Sequence, residues 1–238
     1  MERRRFTKDL AKLVILFSIP ELHFNEDFLF AQKEDIYLTI DDGPRPNMEK
    51  ILTRLGKENK ATFFVVGELL ESQKNKDLLL KALEMGHEIG NHSYSHPEFS
   101  KISLDQSKKE IETTHELINK IYEKVGKQNP LLFRFPYGDP GYYIHESCSL
   151  GNKNHKIKIN CFLEEIGYKA FFWSLDSEDW KYYSKEKHKE LKEIIENVQN
   201  AKQGDNILTH DLPITQEHII PFYINSQKYN LKTLRDYG

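Results

Sequence analysis

The sequence has little of several features that would by themselves indicate a class of protein. Its 34 lysines and arginines are balanced by 37 aspartates and glutamates, leaving a formal net charge of −3. The composition therefore gives no case for a nucleic-acid partner. It contains no internal repeat and no apolar run of about 20 residues, the length that a stable membrane span needs. The 238 residues are enough for one sizeable core, and barrel folds of this length commonly form a single domain.

Cysteine is scarce as well, with Cys148 and Cys161 as the two present. If the protein is exported to an oxidising compartment, they can pair and close a loop of about 14 residues. Such a bridge stabilises a chain by roughly 3 kcal/mol in the chain-entropy model. In a reducing compartment, or with an unfavourable geometry, they remain free thiols. The sequence leaves both alternatives open.

The N-terminus has the features of a targeting segment. A basic region at 2–8, with three arginines and one lysine, precedes a mostly apolar stretch at 10–20, which at about ten residues is too short to span a bilayer but suits an export signal. The pattern RRxFxK resembles a twin-arginine export motif, although no clean A-x-A cleavage site follows. We therefore expect residues 1–33 to be an export signal or N-terminal extension of a periplasmic or cell-envelope protein. The alternative is a basic amphipathic first helix, with the protein in the cytoplasm.

Through the rest of the chain, apolar runs of strand length alternate with segments of helical periodicity. We predict strands at 36–40, 61–66, 87–91, 131–135, 170–173 and 206–209, and helices at 48–57, 69–85, 104–125 and 184–200. This alternation indicates parallel strands joined by crossovers. In barrels of this kind the chemistry lies at the carboxyl ends of the strands. Residues 138–160, rich in Gly, Ser, Asn, His and Tyr, are expected to form a long loop beside the site.

Two of these strand ends carry potential metal ligands. Asp41 and Asp42 end the first apolar run, and His92 and His96 follow the third. Imidazole and carboxylate are standard ligands of zinc and similar ions, and histidines four residues apart share one face if their segment is helical. Two His and one Asp leave a coordination position open for activating a water, whose proton the second aspartate could accept. Each signal has an ordinary alternative, because Asp-Asp-Gly-Pro is common turn chemistry and histidine pairs occur by chance.

Further polar clusters follow other apolar runs. They comprise Arg134 and Tyr137, then Asp176, Asp179 and Trp180, and finally His210. Charged or titratable groups just past buried strands are rarely needed for packing. Their repetition indicates one shared site, and with the potential metal ligands it indicates a metal-dependent hydrolase.

Taken in this order, the clusters resemble the motifs of the polysaccharide deacetylase (NodB-type) family, carbohydrate esterase family 4, over residues 34–235. The resemblance implies a distorted (β/α) barrel that uses one divalent metal ion to remove N-acetyl, and sometimes O-acetyl, groups from carbohydrate polymers. Carried over residue by residue, the resemblance implies that Asp42, His92 and His96 are the metal ligands. It implies that Asp41 is the general base, held by Arg134, and that His210 is the general acid, paired with Asp179. It further implies that the backbone N–H of Tyr137 helps bind the oxyanion and that Trp180 and Leu208 form the walls of the acetyl-methyl pocket.

The chemistry of amide hydrolysis agrees with these roles. A nearby Arg134 would keep the Asp41 carboxylate ionised and oriented. His210 suits protonation of the leaving amine, because the reference pKa of histidine, about 6.5, lies near working pH. Asp179 would favour the charged form of His210. Two His and one Asp suit Zn²⁺, although Co²⁺, Ni²⁺ or Fe²⁺ fit the same ligands.

We therefore predict an α/β catalytic domain at 34–238 with the fold of a distorted (β/α) barrel. Its expected substrate is a polysaccharide containing N-acetylglucosamine, such as peptidoglycan, a chitin-like polymer or poly-N-acetylglucosamine. The alternatives are an O-acetyl (xylan-type) esterase, a small sugar-conjugate deacylase and, from another class, a catalytically silent glycan-binding module. The segment after His210 is short for a last barrel strand, and the sequence carries no signal of oligomeric state.

Overall fold

The structure is a computed structural model that describes residues 33–140 and 155–237. The expected N-terminal segment, apart from Lys33, lies outside the described residues, as do Cys148 and most of the expected loop at 138–160. Lys33–Gly238 clusters as a unit of its own.

Parallel strands form the centre of this unit. They are β1 (Glu34–Gly43), β2 (Thr62–Val65), β3 (Glu88–Asn91), β4 (Leu132–Phe133), β5 (Lys169–Ala170), β6 (Leu175–Asp176), β7 (Asn206–His210) and β8 (Tyr229–Lys232). Their order in the sheet is β5-β4-β3-β2-β1-β7-β6, and β8 pairs with β1. Every pairing is parallel, which confirms the prediction of parallel strands joined by crossovers.

Helices connect these strands. They are α1 (Met48–Leu55), α2 (Gln73–Glu84), α3 (Leu104–Lys124), α4 (His155–Glu165), α5 (Leu191–Val198) and α6 (Ile220–Asn225). A capping box begins α3, in which Ser103 Oγ accepts from the Gln106 N–H at 3.2 Å and Gln106 Oε1 accepts from the Ser103 N–H at 2.9 Å. Within the part of the chain described here, no helix combines the length and the apolarity needed to cross a membrane.

The two faces of β1 have different environments because successive side chains of a strand point to opposite sides. Ile36, Leu38 and Ile40 are fully buried in the main apolar core. Thr39 and Asp41 alternate with them and are also buried, at 0% and 3% exposure, but both contact the guanidinium of Arg134. The second face of β1 is therefore polar, and its polar residues continue to the carboxyl end of the strand.

The predicted strand at 170–173 is replaced by the shorter strands β5 and β6. Between them, the Phe171 N–H still donates to the Phe133 carbonyl of β4 and the Ser174 N–H to the Asn206 carbonyl of β7, but two carbonyls bond to side chains. The Phe171 carbonyl accepts from Arg134 Nε at 3.2 Å, and the Phe172 carbonyl accepts from Asn206 Nδ2 at 2.5 Å. The chain is diverted here to enclose the buried arginine.

Two predicted boundaries were wrong. The expected loop at 138–160 ends earlier, since α4 begins at His155 and buries Ile159, Phe162 and Leu163 against α3 and β4 residues. The predicted helix at 184–200 begins only at Leu191, where Glu190 and Glu193 form a capping box. The preceding residues form a turn in which Ser184 Oγ accepts from the Lys187 N–H at 3.1 Å.

The chain after His210 does supply a last strand, despite its shortness. A π-helical turn at Thr215–Ile219 leads into α6, and β8 then pairs with the start of β1, from Glu34↔Tyr229 to Tyr37↔Lys232. In α4, Cys161 is disulfide-bonded, which agrees with the paired alternative for this cysteine.

Candidate active site

A cavity of about 510 Å³ lies where the carboxyl ends of β1, β6 and β7 meet the segments that follow β3 and β4. Its lining includes most of the residues that the sequence marks as site residues, namely Asp41, Asp42, His92, His96, Tyr137, Trp180, Leu208 and His210. The other two, Arg134 and Asp179, are fully buried and bond to Asp41 and His210, respectively. The fold thus brings all ten residues together.

Asp42, His92 and His96 form a group that could hold a metal ion, because one ligand atom from each lies within 4.8 Å of the others. Asp42 Oδ1 is 3.1 Å from His96 Nε2 and 3.5 Å from His92 Nε2. His92 Nδ1 lies 2.8 Å from the Arg134 carbonyl, and a proton on Nδ1 that donates to this oxygen leaves Nε2 with its lone pair. This arrangement is typical of metal-ligating histidines. The donor set therefore fits a divalent cation that prefers nitrogen and oxygen ligands.

The carboxylate of this group is held in its charged form. Burial tends to raise the pKa of Asp42, but the neighbouring imidazoles of His92 and His96, together with the charge of His210, outweigh it and bring the pKa well below its ordinary value. A charged carboxylate is the form that ligates a metal. The three side chains therefore offer one anionic and two imidazole donors.

The histidines converge through a turn rather than along a helix. His92 directly follows β3, and both Ser93 and His96 have left-handed backbone conformations, with φ of 66° and 58°. Asp42 is left-handed too, at φ 66°. Such conformations each cost on the order of 1–3 kcal/mol in non-glycine residues and tend to occur at functional sites. The backbone is thus bent to aim two of the three donors.

Glu110 of α3 fixes this turn, and sequence reasoning did not identify it. One carboxylate oxygen accepts from the N–H groups of Tyr94 and Ser95, at 2.8 and 2.6 Å, while the other accepts from Ser95 Oγ at 2.7 Å. The turn between the two histidines therefore depends on a residue from the next helix. A single Glu among many on an amphipathic helix gives no sequence signal of this role.

Arg134 and Asp41 form an ion pair inside the sheet. Arg134 Nη1 donates to Asp41 Oδ1 at 3.0 Å and to Thr39 Oγ1 at 2.5 Å, and its Nη2 donates to Asn206 Oδ1 at 3.0 Å. The arginine is 0% exposed, and its guanidinium carbon lies 4.4 Å from the centroid of the Phe64 ring. These bonds leave Asp41 Oδ2 free of the arginine and orient the carboxylate at the edge of the cavity.

His210 ends β7 at the level of Asp41, since the parallel register of β1 and β7 pairs these two residues. Asp179 Oδ1 lies 2.7 Å from His210 Nδ1, while Oδ2 accepts from the His210 N–H at 2.7 Å and from Thr215 Oγ1 at 2.6 Å. Burial alone would lower the pKa of His210, but the charge of Asp179 outweighs it and raises the pKa to about 9. The imidazole is therefore protonated at neutral pH, with Nδ1 on Asp179.

The remaining predicted residues are on the cavity wall. Leu208 on β7 is 4% exposed, whereas Trp180 is 36% and Tyr137 67% exposed. Tyr137 is left-handed, with φ 59°, and its ring centroid lies 4.6 Å from that of His96. Apolar side chains and the turn at Tyr137 thus lie next to the potential metal ligands.

Asp211 also lines the cavity, and sequence reasoning missed it although it directly follows His210. It is 1% exposed, and its Oδ2 accepts from the Arg45 N–H at 2.5 Å, while its own N–H donates to the Asp41 carbonyl at 3.0 Å. Burial raises its pKa to about 7. Asp211 therefore ties the end of β7 to the end of β1 and to the turn that follows it at Arg45.

Comparison with known proteins agrees with this fold and this arrangement. The family model described as polysaccharide deacetylase matches residues 30–159. The chain is 33% identical to the peptidoglycan-N-acetylmuramic acid deacetylase PdaC of Bacillus subtilis over 83% of its own length and 36% of that protein. It is also 33% identical to a peptidoglycan-N-acetylglucosamine deacetylase of Bacillus cereus, over 76% of its length and 57% of the relative. It thus spans between about a third and somewhat over half of these two proteins.

A solved structure shows the same fold. The structure of PdaC from Bacillus subtilis superposes with a TM-score of 0.66 at 30% identity, covering 85% of this chain and 89% of the other. This likeness confirms the predicted distorted (β/α) barrel.

Proposed function

Because the chain belongs to the polysaccharide deacetylase family, we propose that it is a metal-dependent hydrolase that removes N-acetyl groups from a polysaccharide containing N-acetylglucosamine. The observation that carries this proposal is the convergence on one cavity of a possible metal site, an arginine-held carboxylate and an aspartate-held histidine. Each of the three is a component that amide hydrolysis needs.

The proposed substrate is a glycan of the cell envelope, in keeping with the relatives named as peptidoglycan deacetylases. We place the protein outside the cytoplasm for the same reason, with residues 1–33 as its export segment. Chitin-like polymers and poly-N-acetylglucosamine present the same acetamide group.

Asp42, His92 and His96 would hold one divalent ion, for which we propose Zn²⁺. When bound, the ion would act as a Lewis acid on the acetyl carbonyl and lower the pKa of a water toward ~7. The protein groups around it perform the proton transfers and the positioning.

Asp41 is the proposed general base. Its carboxylate lies at the cavity edge, 3.7 Å from His92 Nε2, and the buried Arg134 keeps it oriented through one oxygen. The other oxygen is available to accept a proton from the attacking water. Because a fully buried guanidinium has no water to solvate it, the ion pair is maintained by its own hydrogen bonds to Thr39 and Asn206.

His210 is the proposed general acid. With Nδ1 bonded to Asp179, its Nε2 proton is the one left for the leaving amine. The parallel register places it level with Asp41 across the strand pair, so that base and acid approach the same acetamide.

The acetyl group itself would be held by three residues. The backbone N–H of Tyr137 is the proposed donor to the oxyanion, a role for which a preorganised donor is worth several kcal/mol. Trp180 and Leu208 are the proposed walls of the methyl pocket. Such a pocket discriminates weakly, since one methylene is worth only about 1–3 kcal/mol.

The test is acetate release from N-acetylglucosamine oligomers by the metal-loaded protein, before and after treatment with a chelator. The proposal requires acetate that disappears with the chelator and returns with added Zn²⁺. Acetate production that is unaffected by removal of all metal would contradict it. Release from acetylated xylan alone would favour an O-acetyl esterase, and glycan binding without acetate would favour a silent binding module.

A further inference from the structure

A second cavity, of about 300 Å³, lies beside the catalytic one. Arg45 lines both cavities. The other polar residues of the second cavity are Glu49, Lys74 and Asn75, from the start of α1 and the first turn of α2. Because they share Arg45, the two cavities adjoin, and a sugar next to the one in the catalytic cavity would lie toward the second.

Arg45 is fixed at its backbone and at the inner end of its guanidinium. Its N–H donates to Asp211 Oδ2 at 2.5 Å, and its Nε donates to the Asp42 carbonyl at 2.8 Å. Pro44 and Pro46 flank it and restrict the chain on both sides. In the described part of the chain, its two terminal nitrogens make no hydrogen bond to protein. An exposed arginine is thus held at two points, with its terminal nitrogens not engaged by the described residues.

The charges of the second cavity are unequal. Lys74 is exposed and forms no ion pair among the described residues. The single acid of the lining, Glu49, lies 4.0 Å from Lys81 and is 59% exposed. Asn75 donates to the Leu69 carbonyl at 2.8 Å, so one of its two amide N–H donors is already used. Neither Arg45 nor Lys74 thus forms an ion pair among the described residues, although the charge of Arg45 also acts on the nearby Asp211 carboxylate.

We propose that this second cavity is a subsite for a carboxylate carried by a sugar next to the one that loses its acetyl group. The planar guanidinium of a held arginine matches a carboxylate with two parallel N–H···O bonds, and Lys74 adds a second positive charge. A neutral glycan presents only hydroxyl groups to this cavity, so it forms no ion pair with Arg45 or Lys74. This inference rests on the proposed deacetylase function and names the acidic, rather than neutral, N-acetylated glycan as the preferred substrate.

The experiment compares two forms of one substrate. Peptide-free strands of alternating N-acetylglucosamine and N-acetylmuramic acid are used with their lactyl carboxylates free, and after amidation of those carboxylates. We expect kcat/KM to be about threefold to tenfold higher for the free-carboxylate strands, the range of a partly exposed charge pair or charged hydrogen bond. The preference should reside in KM and weaken at high salt.

Lys74→Gln should remove most of this preference while leaving kcat/KM on the amidated strands unchanged. Arg45→Lys keeps the charge but loses the paired donors, so it should reduce the preference without abolishing it. Lys76→Gln is the matched control, because Lys76 lies on the same turn of α2 but lines a different cavity, and it should retain the full preference.

Calorimetric binding of both strands to the Asp41→Asn variant separates this inference from the proposed function. A carboxylate preference in Kd without any acetate release by the unmodified protein would keep the subsite and overturn the deacetylase. Equal kcat/KM and Kd for the two strands, or a Lys74→Gln variant with the full preference, would overturn the subsite.

Discussion

The two ends of strand β3 carry buried polar clusters of opposite character. At the amino end, the Glu88 carboxylate accepts from Tyr122 Oη at 2.6 Å and from Arg235 Nε and Nη2 at 2.6 and 3.1 Å. At the carboxyl end, four residues further on, His92 points Nε2 toward Asp42 Oδ1 and a cavity. One cluster is closed on itself, and the other opens on a space that a ligand can enter.

Buried charge is therefore not by itself a sign of function. Glu88 and Arg235 connect the sheet with the last residues of the chain, and the burial of Tyr122 next to Glu88 raises the pKa of its hydroxyl far above the ordinary value. All of these groups find partners within the protein. The carboxyl-end ligands instead combine left-handed backbone, an adjoining cavity and donor atoms aimed at one point. Substitutions at the two ends should separate stability from activity.

The largest effect is expected from His96→Ala at the carboxyl end. Loss of one of three donors should remove the bound metal and lower kcat/KM by about three orders of magnitude or more, since the ion stabilises transition-state charge by several kcal/mol. Metal analysis of the purified variant beside acetate kinetics measures both effects. His218→Ala, an exposed histidine away from the cavity, is the control. A His96→Ala protein with stoichiometric metal and normal turnover would contradict the ligand assignment.

The next effect concerns pH and the Asp179–His210 pair. The general acid must be protonated, so kcat/KM should fall as pH rises through the pKa of His210, about 9. The charge of Asp179 raises this pKa against the effect of burial, so Asp179→Asn should move the alkaline limb to lower pH. The loss of rate should consequently be larger at pH 8 than at pH 6. pH–rate profiles of both proteins test this, and an unshifted alkaline limb in Asp179→Asn would be evidence against His210 as the acid.

The smallest effect on catalysis is expected at the amino end. Arg235→Ala leaves the buried Glu88 with the Tyr122 hydroxyl alone, which should lower the free energy of unfolding by about 1–2 kcal/mol, the lower part of the range for charged hydrogen bonds because Arg235 is partly exposed. Urea denaturation measures this loss. Acetate kinetics well below the unfolding transition should show kcat/KM unchanged. If kcat/KM falls and stability does not, the two ends are not separated in the way described here.

The sequence predicts the carboxyl-end cluster well because its members stand directly after apolar runs. Asp41, Asp42 and His210 lie at the carboxyl ends of strands and His92 directly follows one, and the fold must bring these strand ends to one edge. Asp211 also stands directly after an apolar run, beside His210. An aspartate next to a histidine has no distinct sequence signal, and its role is visible only from its bond to Arg45. Glu110 is less visible still, since its partners lie 15 and 16 residues away in a turn.

Other features depend on long-range contacts that a local pattern does not contain. Strand β8 exists because residues 229–232 find the start of β1 about 195 residues away in sequence. The division of the predicted strand at 170–173 follows from the demand of Arg134 for carbonyl acceptors. The late start of α5 follows from a local bond at Ser184 that competes with helix formation and from the capping box at Glu190, which sets the helix start.

The central claim is that two adjacent aspartates have different tasks, Asp41 as general base and Asp42 as metal ligand. The two aspartates have different neighbours in the structure. Asp41 bonds to the buried Arg134, whereas Asp42 faces both histidines. Asparagine at either position keeps the size of the side chain and removes its charge. The pair of variants Asp41→Asn and Asp42→Asn therefore isolates the two tasks.

The most direct measurement is bound metal together with kcat for these two variants under identical conditions. Asp41→Asn should keep its metal and lose about 10²–10⁴-fold in kcat with little change in KM, the usual contribution of a positioned base, and added Zn²⁺ should not rescue it. Asp42→Asn should lose metal affinity, and part of its activity should return with excess Zn²⁺. A metal-depleted Asp41→Asn beside a metal-replete Asp42→Asn would contradict the account at its centre.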